Sequence, residues 1–179
     1  MPLKTIDVQY GLSTTSANNF VLRTPDDGTF RLSRGIMGTT SDIFYVDKFN
    51  NMVFLNSIVE NANVIASAPA AGVNTYNLIS NGFVYHTSNN TTNFTLNMTG
   101  PTYLSNGQAI TMTLALSNGA NAYYPNVIQV EGNTSGVSTK WLTSSPSSGN
   151  ASSIDLYSFS VVKTGNTSYT VFASQAKYV

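Results

Sequence analysis

From Ala109 to Leu116 the chain reads Ala-Ile-Thr-Met-Thr-Leu-Ala-Leu, placing Ile110, Met112, Leu114 and Leu116 on one side and Thr111, Thr113 and Ala115 on the other. Successive side chains of an extended strand point to opposite faces, so a period of two fits a half-buried strand and no helix. Phe94, Leu96 and Met98 alternate with Thr95 and Asn97 in the same way. Tyr157, Phe159 and Val161 do so within 154–162, and Tyr169, Val171 and Ala173 repeat the pattern near the end. Asn-Gly pairs at 81–82, 106–107 and 118–119 read as hairpin turns because both residues tolerate positive φ, and Gly149-Asn150 and Gly165-Asn166 mark further turns. About eight strands over about 110 residues predict an all-β fold, an antiparallel β-sandwich or jelly roll.

Ahead of this region lies a small N-terminal β module. Phe20-Val21-Leu22-Arg23 runs into Pro25-Asp26-Asp27-Gly28, whose proline and glycine preset turn dihedrals. Thr29 to Ser33 alternates, Ile43 to Val46 follows, and Asn50-Asn51 turns the chain into Met52-Val53-Phe54-Leu55. Four such short strands bury little core, so the module is expected to lean on the second part or on a neighbouring chain. Charge is uneven in the same sense: residues 1–60 hold 11 of the 16 charged side chains. The expected division is therefore 1–60, an anchoring module, and 61–179, a sandwich knob, with Ala66 to Gly72 reading as a connector.

Asn, Ser and Thr supply 65 of the 179 residues, whereas charged residues make up 9%, against roughly 25% in an ordinary soluble domain. Ten Tyr and nine Phe among the β-branched residues argue for a folded chain rather than a disordered one. Net charge is zero, which leaves no electrostatic footprint for nucleic acid or an anionic membrane. Cysteine is absent, so disulfides, thiolate metal sites and cysteine nucleophiles are excluded. The start, Met1 to Asp7, lacks the apolar stretch of a secretory signal, and no run reaches the ~18 apolar residues of a membrane span. Seven Asn-x-Ser/Thr triplets, at Asn89, Asn90, Asn93, Asn97, Asn133, Asn150 and Asn166, read as composition rather than glycosylation, since chance placement already yields about five.

Candidate chemistry is sparse. His86 is the single histidine, and a Ser-His-Asp hydrolase would have to use it without a nucleophile elbow. A glycosidase would have to pair Glu131 with Asp155, although Glu131 precedes a turn and Asp155 reads as a structural strand acid. Asp26 and Asp27 could suggest calcium but read as turn formers, and no cofactor or metal is expected. Trp141, Tyr123 and Tyr124 offer either core and interface aromatics or a platform for stacking on sugar rings. A surface of hydroxyls and amides loses little charge solvation when covered by another subunit, which favours self-assembly.

The stretches Asn106 to Met112, Asn118 to Pro125, Lys140-Trp141, Gly149 to Phe159 and Val171 to Gln175 resemble C-terminal domains of tailed-bacteriophage virion proteins, notably from cyanophages. Asn19 to Gly35 is similar to a module of phage fibre-like proteins. The resemblance implies a non-enzymatic virion structural protein, made in the host cytoplasm, whose β-sandwich trimerises. The absence of heptads, collagen-like repeats or a repeat array favours a capsid decoration (cement) protein that binds the major capsid protein over a tail fibre that recognises a host glycan or protein. A carbohydrate-binding module is the reading from another class. Arg23, Arg31 and Arg34, with Asp26 and Asp27, are the expected partner contacts; Tyr123, Tyr124, Trp141, Tyr157 and Phe159 are expected at the trimer interface or as glycan-stacking residues.

Overall fold

The computed structural model describes residues 6–11, 13–15 and 18–179. The chain forms two compact units, 1–59 and 60–179. Among the described residues there is no α-helix, and the protein is an all-β fold.

The first unit is one antiparallel sheet in the order β1(Ile6–Tyr10), β2(Phe20–Thr24), β3(Phe30–Ile36), β4(Thr39–Val46), β5(Met52–Phe54). Its turns are those the sequence advertises. Gly28 takes φ 80° between β2 and β3, and Asn50 takes φ 66° between β4 and β5. The Asp47 carboxylate accepts from the Phe49 and Asn51 amides at 2.8 and 2.9 Å, which closes that second turn. Four of the five strands were readable as short runs between turn signals; β1 was not, because five residues without a turn signal ahead of them carry little pattern. Val21 is the sole wholly buried large hydrophobic among the unit's described residues.

The second unit is a sandwich. One sheet has the order β12(Val137–Trp141), β14(Ser168–Tyr178), β13(Ser153–Gly165), β10(Ala109–Asn118), β8(Phe83–His86), β6(Ala62–Ile65). The other has the order β11(Pro125–Val130), β9(Phe94–Thr99), β7(Gly72–Asn77). Both contribute to one core: Phe94, Leu96, Met98 and Val130 from the small sheet meet Met112, Leu114, Leu116, Tyr157, Phe159 and Val161 from the large one. The alternating residues of β9, β10, β13 and β14 are thus the ones that fill the interior.

Pairing in the sandwich is mixed. β13 is antiparallel to β10 and β14, but β6, β8 and β10 run parallel, as do β7, β9 and β11, and β12 with β14. The reason lies in the connections. From β6 to β11 the chain changes sheet at every step, so β8, β9, β10 and β11 each return beside their predecessor-but-one in the same direction, whereas β12 crosses back to the far edge beside β14. The three Asn-Gly pairs expected to make hairpins lie in these sheet-to-sheet crossings instead. Of their glycines only Gly107 has positive φ, so Asn-Gly at 81–82 and 118–119 does not adopt the two-residue hairpin geometry. Gly165-Asn166 does sit at a hairpin, joining β13 and β14. The connector expected at Ala66 to Gly72 lies inside this unit, between β6 and β7.

Candidate functional site

Asp7, Arg23, Arg31 and Asp42 gather on one face of the first unit's sheet. Arg31 spans two acids, bonding Asp42 at 2.6 Å through Nη1 and Asp27 through Nη2, while its Nε donates to Thr29 Oγ1. Arg23 lies 3.8 Å from the other Asp42 oxygen and 3.7 Å from Asp7, and donates to Thr40 Oγ1. Cross-strand register produces this grouping, since Asp7 opposes Arg23, Arg23 opposes Arg31, and Ser33 opposes Asp42. Desolvation pushes the Asp42 carboxyl up, but the Ser33 hydroxyl, Arg31 and Arg23 outweigh it and hold the group below its ordinary range. Asp27 is also lowered, first by the Thr29 hydroxyl and then by the Thr29 amide and Arg31.

Arg23 and Arg31 are thus paired within their own unit, Arg23 with Asp7 and Asp42, and Arg31 with Asp42 and with Asp27 of the exposed β2–β3 turn. Asp26 is exposed in the β2–β3 turn. Arg34 stands on the opposite face, its guanidinium 5.3 Å from the centre of the Phe20 ring. Among the described residues no group of three or more His, Cys, Asp and Glu could hold a metal ion.

The acids and imidazole of the second unit act on the chain itself. Asp155, wholly buried, accepts from Asn118 Nδ2 at 3.0 Å, from the Asn150 amide and Nδ2 at 2.8 and 2.6 Å, and from Gln175 Nε2 at 3.2 Å. Glu131 takes φ 52° at the end of β11, and its carboxylate accepts from the Gly100 and Thr102 amides. It is a half-buried clamp between the end of β11 and the 100–102 turn. His86 is buried, with Nδ1 2.6 Å from the Ser67 carbonyl and Nε2 2.7 Å from Tyr76 Oη. A carbonyl can only accept, so Nδ1 carries the hydrogen and Nε2 receives the tyrosine hydroxyl. No serine hydroxyl is bonded to this ring, and both of its nitrogens are occupied.

The aromatics divide between core and cleft. Tyr157 and Phe159 are buried and stacked on each other at 6.3 Å, so neither reaches a subunit interface or a sugar. That expectation is corrected by the register: both point into the sandwich with Val161. Trp141 is half-buried, edge-on to Phe159 at 6.2 Å, and stands at the end of a cleft of about 360 Å³ lined with Thr143, Ser145, Ser148, Asn150 and Gln175. Tyr123 and Tyr124 are half-buried outside that cleft, so the three do not form one platform.

The feature that sequence reading missed is on the outside of the large sheet. Val64, Tyr85, Ala115, Leu156 and Ala176 lie opposite one another in a single register row across five strands. Phe83, Ile154 and Tyr178 flank it, forming a shallow apolar depression of about 360 Å³. Beside it stand Thr113, Ser158 and Ser174, so the stripe is bounded by hydroxyls rather than ions. The signal was present in β13: Ile154 and Leu156 make its outer face apolar while Tyr157 and Phe159 fill the inner one, a pattern of strands covered on both sides.

The fold and these surfaces define a two-unit all-β chain with apolar stripes on neutral faces. No family model matches the chain, and neither the curated proteins nor the solved structures give a match.

Proposed function

We propose that this chain is a non-enzymatic structural protein of a tailed-bacteriophage virion, a homotrimer that decorates the capsid and stabilises the head by binding the major capsid protein. The observation that carries the self-assembly is the uninterrupted apolar row Val64–Tyr85–Ala115–Leu156–Ala176 on the outer face of the larger sheet. Apolar area bordered by hydroxyls is what a subunit contact requires, an apolar centre with a rim that retains its hydrogen bonds. Asp155, Glu131 and His86 serve as structural hydrogen-bond centres, which supports a non-enzymatic reading. The virion assignment rests on the resemblance of the sequence stretches named above.

The test is quantitative proteomics of purified particles with mass measurement of the isolated chain. Hundreds of copies per particle and a trimer, or a pair of trimers, in solution are expected; absence from particles overturns the virion role, and a few copies restricted to tails overturns decoration. A second reading, a tail-fibre domain or carbohydrate-binding module that recognises a host glycan, is favoured by the uncharged, hydroxyl-lined cleft beside Trp141. Glycan-array binding abolished by Trp141→Ala would select it.

A further inference from the structure

The two faces of the five-stranded N-terminal sheet differ sharply in polarity. The ion pairs and Val21 occupy one face. On the other, Val8, Leu22, Leu32, Phe44 and Phe54 make one apolar register row across all five strands. A second row, Phe30, Val46 and Met52, runs beside it. A third, Tyr10, Phe20, Arg34 and Ser41, pairs two aromatics with two polar residues. The aromatic and aliphatic side chains of the face are far from covered: Tyr10 is 63% exposed, Met52 59%, Phe54 47% and Phe30 42%.

We propose that this face packs against the same face of a second copy of the chain. The inference goes beyond the trimer proposed above: a same-face contact is two-fold, so it joins chains in pairs and would link trimers rather than close them. Two observations commit it to another copy. First, large side chains carry about 150–250 Å² each, so the exposed apolar part of this face amounts to roughly 600–800 Å², close to the ~800 Å² each partner gives to a standard stable interface. Second, the face already has the anatomy of a self-complementary contact. Its central row is uncharged, and its one charge, Arg34, is held on Phe20 in the outer row, where a symmetric partner meets it at the rim. No acid stands in these rows to select a basic partner. Two such faces would close at the ~10 Å spacing of packed sheets, giving the first unit the core it lacks.

The natural absence of cysteine makes the test direct. Phe54→Cys and Val53→Cys place single thiols on opposite faces of β5 in the full chain. With a short bismaleimide, the Phe54→Cys chain is expected to cross-link between copies at least ten-fold faster than the Val53→Cys chain. M52K/F54K, at two exposed edge-strand positions, is expected to weaken association at least ten-fold by sedimentation velocity while keeping the β-sheet circular dichroism signal. Equal cross-linking from both faces, or an unchanged mass distribution for folded M52K/F54K, overturns the contact. So does a wild-type monomer at about 50 μM, which would give the face to a different protein or to the chain itself. Should M52K/F54K fail to fold, the Phe54-against-Val53 contrast still decides. A chain missing from virions that cross-links through position 54 loses the virion role and keeps this contact; a virion protein that cross-links equally from both faces does the reverse.

Discussion

At the scale of single residues, the polar groups that look reactive in the sequence are structural because donors surround them. Asp155 receives hydrogen bonds from four side chains and one backbone amide with no exposure to solvent. In Asp155→Asn an amide group would face those donors, so a loss of roughly 2–4 kcal/mol is expected by denaturant unfolding. Asn90 is the contrasting case. It is buried, and neither polar atom of its side chain has a hydrogen-bond partner in the chain. Asn90→Ala should therefore change stability by less than about 1 kcal/mol, because no bond is lost. Burial also closes Asn90 and Asn97 to glycan attachment in the folded chain, whatever their triplets suggest. Tyr76 adds a pH signature: burial pushes its hydroxyl up to about 12 from an ordinary 10.0. Below pH 10 both folded and unfolded chains hold this proton; between 10 and 12 only the folded chain does, so stability falls as pH rises through that window. Tyr76→Phe should flatten part of that alkaline loss, at the cost of about 1–3 kcal/mol near neutrality from the unpaired His86 nitrogen. Alkaline denaturation curves of the two proteins make the comparison.

Among elements, the alternation of β9, β10, β13 and β14 was legible because inner and outer faces differ in polarity, and side chains of a strand must alternate between them. What Asn-Gly could not convey is whether a turn leads to the neighbouring strand or across to the other sheet. Both need a compact bend, and Gly107 uses its positive φ for a crossing. A turn that does fix an element is at Gly136, where φ is 76° and the carbonyl accepts from the Tyr169 amide at 2.8 Å. A Cβ there would press on the Thr167 carbonyl, and the left-handed backbone disfavours any L side chain. Gly136→Ala is expected to lower the melting temperature and to detach β12 from β14, read as faster amide exchange at 137–141. In the first unit, Asp42 binds three strands through Arg31, Arg23 and Ser33. Its lowered pKa means that its contribution is present above about pH 4 and is lost as pH falls through the folded value. Asp42→Asn should remove that acid dependence from the unfolding of the first unit.

For the whole molecule, stability is expected to be uneven. The second unit buries a sixteen-residue cluster, while the first completely buries one large hydrophobic among its described residues. Local unfolding follows the poorer core, so under conditions that dissociate the chain the first unit should melt at lower temperature. Limited proteolysis should then cut in the exposed segment between Phe54 and Ala62, leaving a resistant fragment close to 60–179. A fragment ending elsewhere, or one cooperative transition at every concentration, would contradict this. The sequence alone determined that the protein is all-β, that β9, β10, β13 and β14 supply the core, and that charge concentrates before residue 60, because alternation and composition are local quantities. Only the tertiary structure decided which strands lie side by side. That choice set the parallel crossings, paired Arg23 and Arg31 with acids from other strands, and lined up apolar rows on outward faces. Register joins residues far apart in the chain, and no local period records which distant residue a strand will meet.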